Sequence, residues 1–392
     1  MNDAVNFSLS EGAPSGGNVA HRERGNHMTV ESIENALARL GAQFAPGTKA
    51  RRGLRALAGV ISAGAVVALA ACSSGGAPSP DAGGEGNADS GVAGKRVVMV
   101  HCGDINPWCA VYNETVIEGL EAEGVEVEYL QDPFDVALQI QNLQSAIAQQ
   151  PDLILLTPTD DNSVVPSLQQ AKAAGVPVII SNTRPAPGAE DLAMTVDADH
   201  GSLGKFAAMN IVEGLQELGI EEGNVIALAG SDTTATSGLR MEEFHKEMAK
   251  YPEYKIVDER NTDWDPAAAG QIATQLFAEY ENKGGIQAAY GMADYLANAV
   301  IQSAVQSGIP VGVENDGLIV TGSNCFKVGI DNIRAGLQYG TGTQTPVAEG
   351  EWLVKWTLEY LETGEIPPVN LNTANRVTAD NVEEFAEECS TS

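Results

Sequence analysis

Basic residues are scarce in this chain: 22 Lys and Arg stand against 53 Asp and Glu in 392 residues, a formal net charge of −31. Nucleic acid and anionic lipid surfaces repel such a balance, so neither is expected as a partner. Histidine is limited to five residues, and His101, His200 and His245 do not cluster at metal-ligand spacing. No Cys-x-x-Cys pair occurs either, which argues against a zinc site. The stretch Cys102-Gly103-Asp104-Ile105-Asn106 lacks the Gly-x-Gly-x-x-Gly spacing of a dinucleotide loop, and the chain has no Gly-x-Ser-x-Gly elbow and no His-Glu-x-x-His helix. An enzyme is therefore not expected, and no cofactor is implied. Long apolar runs are missing too. The longest one near the start, Ala56 to Ala71, is interrupted by Gly59 and Gly64 and falls short of the ~20 residues that span a bilayer.

That run reads instead as the core of an export signal. Lys49, Arg51, Arg52 and Arg55 supply the basic stretch before it, and Leu69-Ala70-Ala71-Cys72 the small-residue exit after it. The exit resembles the bacterial lipobox, so residues 1–71 are read as leader and signal peptide, and Cys72 as the lipidated first residue of the mature chain. Acyl chains there hold a protein to a membrane at ~0.8 kcal/mol per buried CH₂. The expected location is the outer face of the cytoplasmic membrane. Residues 72–94, rich in Ser, Gly, Pro and Asp, bury too little apolar surface to fold and read as a tether. Beyond the leader, 15 basic and 48 acidic residues remain, a net charge of −33.

With Cys72 assigned to lipid, Cys102, Cys109, Cys325 and Cys389 are left, an even number in an exported chain. Three pairings are possible. Cys102 with Cys109 is the local choice, and Cys325 with Cys389 would then tie down the C-terminal tail.

From Arg96 onward, short β-branched runs alternate with stretches of helical period, the pattern of an α/β protein with parallel sheets covered by helices on both faces. Val97 to Val100 is the first strand; Trp108 to Glu123 is a helix ending at Gly124; Val125, Val127 and Tyr129 alternate as a second strand. Leu153 to Leu156 and Val176 to Ile180 follow further helices, and the cycle restarts after residue 200 with strands at Asn224 to Ala229, Tyr254 to Val257, Ile286 to Tyr290 and Leu318 to Thr321. Two such runs of similar length predict two doubly wound lobes.

Ligands of open α/β sheets bind beyond the carboxyl ends of the strands. Just past the strands lie Asn106 and Trp108, Thr159 and Asp160, Asn182 and Arg184, Asp232, Asp263 and Trp264, Asp294, Asn324 and Gln344. Amides, carboxylates and one Arg suit the hydroxyls of a small polar ligand, which both donate and accept, and indole faces cover the C–H side of a sugar ring. Asp160, Asp161 and Asn162 read more simply as caps of the following helix, and Trp352 with Trp356 as packing.

Asn106-Pro107-Trp108, Thr157-Pro158-Thr159-Asp160, Gly175-Val176-Pro177-Val178 and Asp263-Trp264-Asp265, in this order and spacing, resemble the ribose- and galactose-binding family of ABC-importer solute receptors. The resemblance runs from about Lys95 almost to the end. It implies lobes of residues 95–199 plus 345–368 and 200–344 plus 369–392, joined by a hinge of crossover segments with the ligand cleft between them. Trp108 and Trp264 would face each other from opposite lobes. The implied ligand set is Asn106, Trp108, Asn182, Arg184, Arg240, Trp264, Asp294, Asn324 and Gln344. Where the family has Asp-Arg after the fourth strand, this chain has Asn182-Thr183-Arg184; Asn324 stands at the hinge carboxylate, Cys109 replaces an aromatic, and the ligand arginine falls at Gly238, two residues before Arg240. The implied function is that of a monomeric receptor that closes on a monosaccharide or polyol and delivers it to an ABC permease. The alternative is a protein that presents its ligand to a membrane receptor kinase or chemoreceptor.

Overall fold

The computed structural model describes residues 91–367 and 370–391; Cys72, the leader and nearly all of the tether lie outside the described residues. Two six-stranded sheets form the frame. The first contains β1 (Arg96–Cys102), β2 (Glu126–Asp132), β3 (Leu153–Leu156), β4 (Val178–Ser181), β5 (Met194–Ala198) and β11 (Asn370–Asn372) in the order β11-β5-β4-β3-β1-β2, with every pairing parallel. The second contains β6 (Gly223–Ala229), β7 (Tyr254–Asn261), β8 (Ala288–Gly291), β9 (Ile319–Thr321), β10 (Gly340–Gly342) and β12 (Arg376–Thr378) in the order β12-β10-β9-β8-β6-β7. Here only β12 runs antiparallel to its neighbour, β10. Central strands read as continuous apolar runs because both faces are covered: Leu153, Ile154, Leu155 and Leu156 are all fully buried.

Several helices start where the sequence supplies a side-chain cap. Asn106 accepts from the Trp108 and Cys109 amides ahead of α1 (Pro107–Ala122), and Asp135 caps α2 (Val136–Gln149) in the same way. Gly175 ends α3 (Val165–Ala174) in the left-handed conformation that favours glycine. In the second lobe α4 (His200–Glu217) packs against α5 (Ala235–Met248), and α6 (Pro266–Tyr280), α7 (Asp294–Gln306) and α8 (Lys327–Arg334) lie in the same lobe. The helix α9 (Pro346–Thr363) returns to the first lobe and lies on α1.

The chain crosses between the sheets after β5, after β10 and between β11 and β12. Backbone hydrogen bonds tie these crossings together: the Asp199 amide donates to the Asn372 carbonyl at 2.9 Å, and the Thr343 amide to the Asn375 carbonyl at 2.8 Å. One expected boundary is corrected. Residues 369–392 do not form a block of the second lobe as the resemblance implies: β11 extends the first sheet beside β5, so the last crossing falls after Asn372. The sequence pattern also passed over β5, β10, β11 and β12. The last three are three-residue strands, too short to show a period.

Candidate ligand-binding site

Between the lobes lies a cavity formed by the loops past the carboxyl ends of the strands. The first lobe contributes Asn106, Trp108, Phe134, Thr157 to Thr159 and Asn182; the second contributes Thr236, Arg240, Trp264, Tyr295 and Asn324, and Gln344 projects from the hinge side.

Several of these side chains sit on left-handed backbone. Asn182 has φ 55°, Trp264 φ 62° and Asn324 φ 82°, each just past a strand. For a residue such as Trp this conformation costs about 1 to 3 kcal/mol, a strain that the surroundings must hold in place. For Trp264 that support is Gly230: a Cβ there would stand 2.1 Å from the indole, so only glycine lets the ring lie flat on the end of β6. The Arg240 guanidinium lies 5.6 Å from the ring centroid. Trp108 is more enclosed, stacked on Tyr112 at a centroid distance of 4.4 Å while its Nε1 donates to the Gln344 carbonyl at 3.4 Å. The Cys102–Cys109 disulfide, whose two residues also line the cavity, pins the loop that carries Asn106 to the first turn of α1.

Arg240 is the centre of the second-lobe wall. It is 1% exposed, and all its donors are engaged: Nε and Nη2 with His200 Nδ1 at 3.4 and 3.3 Å, Nη1 with the Met292 carbonyl at 2.8 Å and Asn324 Oδ1 at 3.1 Å, and Nη2 with Gln344 Oε1 at 2.8 Å. Its depth depends on Gly204. A Cβ there would stand 1.8 Å from the Arg240 carbonyl oxygen, so glycine lets α4 and α5 meet backbone to backbone. Behind Arg240, His200 Nε2 lies 3.1 Å from Asp197, which also accepts from Arg184 Nε at 3.0 Å. Burial pushes the Asp197 carboxyl up, but His200 and Arg184 outweigh it and hold the group below its ordinary value.

The lobes also bond to each other directly. Gln344 Nε2 donates to Asn182 Oδ1 at 2.6 Å, Thr236 Oγ1 to the Asn182 carbonyl at 2.7 Å, and Asn106 Nδ2 to Tyr295 Oη at 3.4 Å. At the rim, Asp161 Oδ2 accepts from the Ala235 amide at 2.6 Å and Thr233 Oγ1 donates to the Thr159 carbonyl at 2.8 Å. These contacts describe a closed cleft.

Of the nine residues in the implied ligand set, Asn106, Trp108, Asn182, Arg240, Trp264, Asn324 and Gln344 are brought to one cavity. Two are not. Arg184 points away, with 43% of its side chain exposed, and pairs with Asp197. Asp294 is fully buried behind the wall, where Oδ2 accepts from the Phe326 amide at 2.8 Å and Oδ1 from Gln338 Nε2 at 2.7 Å; burial raises its carboxyl to about 7. It fixes the loop after β9 and does not line the cavity. The cap reading of residues 160–162 is half corrected: Asp160 caps locally, accepting from the Ser163 amide at 2.7 Å, whereas Asp161 reaches the opposite lobe. Trp352 and Trp356 meet edge to face and pack on the core, as expected. Tyr295, Thr236 and His200 were missed. The strand-end rule reaches Tyr295 one residue past Asp294; nothing local marks the other two, which begin helices. The cysteines pair as Cys102–Cys109 and Cys325–Cys389.

Residues 92–366 match the periplasmic binding protein domain family. Among curated relatives, the D-apiose import binding protein of Paraburkholderia graminis is 22% identical over 290 residues, covering 72% of this chain and 87% of its own length. The xylitol-binding protein of Mycolicibacterium smegmatis is 26% identical over 222 residues, 56% of this chain and 61% of that protein. A crystal structure of a galactofuranose binding protein superposes with a TM-score of 0.69 at 20% identity, covering 75% of this chain and 98% of the other. With two parallel-sheet lobes, three crossings and a cavity between them, this chain belongs to the periplasmic binding protein family.

Proposed function

We propose that the chain is the extracytoplasmic receptor of an ABC importer, that it captures one small polyhydroxylated ligand of the monosaccharide or polyol class by hinge closure, and that lipid on Cys72 keeps it at the membrane. The observation that carries this reading is the composition of the cavity: amides, hydroxyls, one guanidinium and two indoles converge on it from both lobes. Hydroxyl groups need partners that donate and accept in alternation, which Asn106, Asn182, Asn324 and Gln344 offer. Each lobe holds part of the set, so a ligand satisfies both parts only when the lobes close, and its binding energy shifts that equilibrium. Similarity to a protein named for import supports delivery to a permease over presentation to a sensor kinase. The Leu-Ala-Ala-Cys exit supports the anchor.

The test is an intrinsic-fluorescence titration of the mature protein against sugars, sugar acids and polyols, repeated with Trp264→Ala and Trp108→Ala. A saturable signal is expected, with each substitution weakening binding about thirtyfold or more, as for an aromatic anchor in a closed site. A ligand that both variants bind as tightly as the parent would overturn this placement of the site.

A further inference from the structure

Among the side chains that line the cavity, Arg240 alone carries a full charge, and no carboxylate is present to balance it. The positions where a carboxylate was expected from the resemblance hold Asn182 and Asn324, and Asp294 is withdrawn behind the wall. A buried charge is costly unless an opposite charge or a full set of hydrogen bonds accompanies it. Hydrogen bonds Arg240 has, but not one of them reaches a carboxylate. Two carboxyl groups lie near enough to act on it through space, Asp197 and Glu349. Asp197 already answers Arg184 and His200. Glu349 is raised to about 8, first by burial and then by the charge of Asp197, which leaves it largely protonated at neutral pH. The floor of the cleft therefore keeps an excess of one positive charge.

The geometry of the guanidinium indicates what answers it. Its two terminal nitrogens each direct one hydrogen bond to an amide oxygen on the cavity wall, Nη1 to Asn324 Oδ1 at 3.1 Å and Nη2 to Gln344 Oε1 at 2.8 Å. Those two amides are pressed against each other, Asn324 Nδ2 against Gln344 Oε1. Two acceptor oxygens side by side on the paired nitrogens of a guanidinium occupy the places that the oxygens of one carboxylate take in a bidentate pair. We propose that the ligand is a monocarboxylated sugar or polyol, of the aldonate or uronate type, whose carboxylate displaces the two amide oxygens on Arg240. The freed amides of Asn324 and Gln344, with Asn182 opposite, then bind the ligand hydroxyls, and the indole of Trp264 covers its carbon chain. The net negative charge of the whole chain opposes such a ligand only weakly, because salt screens it over about 8 Å at physiological ionic strength.

This inference rests on the reading of the cleft as a sugar or polyol receptor, and the experiment separates the two. Isothermal titration of the mature protein compares aldonates of four to six carbons with the alditols of the same carbon skeleton. An aldonate is expected to bind at least about tenfold tighter than its alditol, the effect of one charge-assisted pair. Asn324→Asp keeps Arg240 and sets a carboxylate on it, so the aldonate-to-alditol preference should fall about tenfold or more, with a melting curve verifying the fold. Binding confined to neutral compounds, or an aldonate preference that Asn324→Asp leaves intact, overturns the carboxylate inference while the receptor reading stands. Silence from every sugar, polyol and acid overturns both.

Discussion

Glu349 illustrates how a single side chain near the hinge carries a cost that depends on pH. It is buried, accepts from Asn372 Nδ2 at 3.1 Å, and is raised to about 8 by burial and by Asp197. Because its folded value lies above its unfolded one, the folded protein holds this proton more tightly. The associated stability is fully present below about pH 4 and is lost as pH rises toward 8. Glu349→Gln removes the titration. Melting curves should show the difference between variant and parent shifting in the variant's favour from pH 5 to pH 8.5, and a constant gap across that range would contradict the assignment. At this scale the sequence was informative where backbone and chemistry coincide. Asn106, Asn182 and Asn324 were legible as polar residues just past strands, and Asn is a residue that tolerates the left-handed turns found at Asn182 and Asn324. Asp294 and Arg184 satisfied the same rule yet lie elsewhere, because position along a chain does not say which way a strand-end side chain points.

Among the elements, α5 takes its first capping bond from the other lobe. Its N-cap Thr234 makes no side-chain capping bond, and the amide of Ala235 is satisfied instead by Asp161, which belongs to the opposite lobe. An uncapped helix start costs about 1 kcal/mol. Opening the cleft exposes that cost, so Asp161 acts as a latch on closure without lining the cavity. Asp161→Ala should weaken ligand binding about fivefold, chiefly through faster release, since 1.4 kcal/mol corresponds to a factor of ten. Stopped-flow fluorescence reads this directly; an unchanged dissociation rate would remove the latch. Nothing in the local sequence announces it. Asp161 precedes a helix and looks like its cap, and only the docking of the lobes turns it toward α5. The long buried strands and the capped helices, by contrast, were readable because β-branched runs, Asn-Pro and Asp-Pro starts and glycine stops are local signals. The strands β10, β11 and β12 exist only because neighbours pair with them.

For the molecule as a whole, one long-range covalent link is seen and a second link is proposed. The Cys325–Cys389 disulfide closes a separation of 64 residues and holds the C-terminal tail against the loop that carries Asn324. In the chain-entropy account, removing it with a paired Cys325→Ser and Cys389→Ser change costs about 4 kcal/mol, read as a lower denaturant midpoint. The lipid proposed on Cys72 would act at longer range. Cys72→Ser should move the protein from the membrane fraction to the aqueous one while its affinity for ligand stays the same; continued membrane retention would contradict the anchor. What the sequence determined by itself was whatever is written in local order: the alternation of strand and helix, the restart near residue 200, and the polar residues waiting at strand ends. Tertiary structure alone decided the pairing of β11 with the first sheet, the reach of Asp161 across the cleft, the withdrawal of Asp294 and the lone charge of Arg240. Each of these depends on groups far apart in the chain meeting under burial, and neither contact nor desolvation is encoded at any single position.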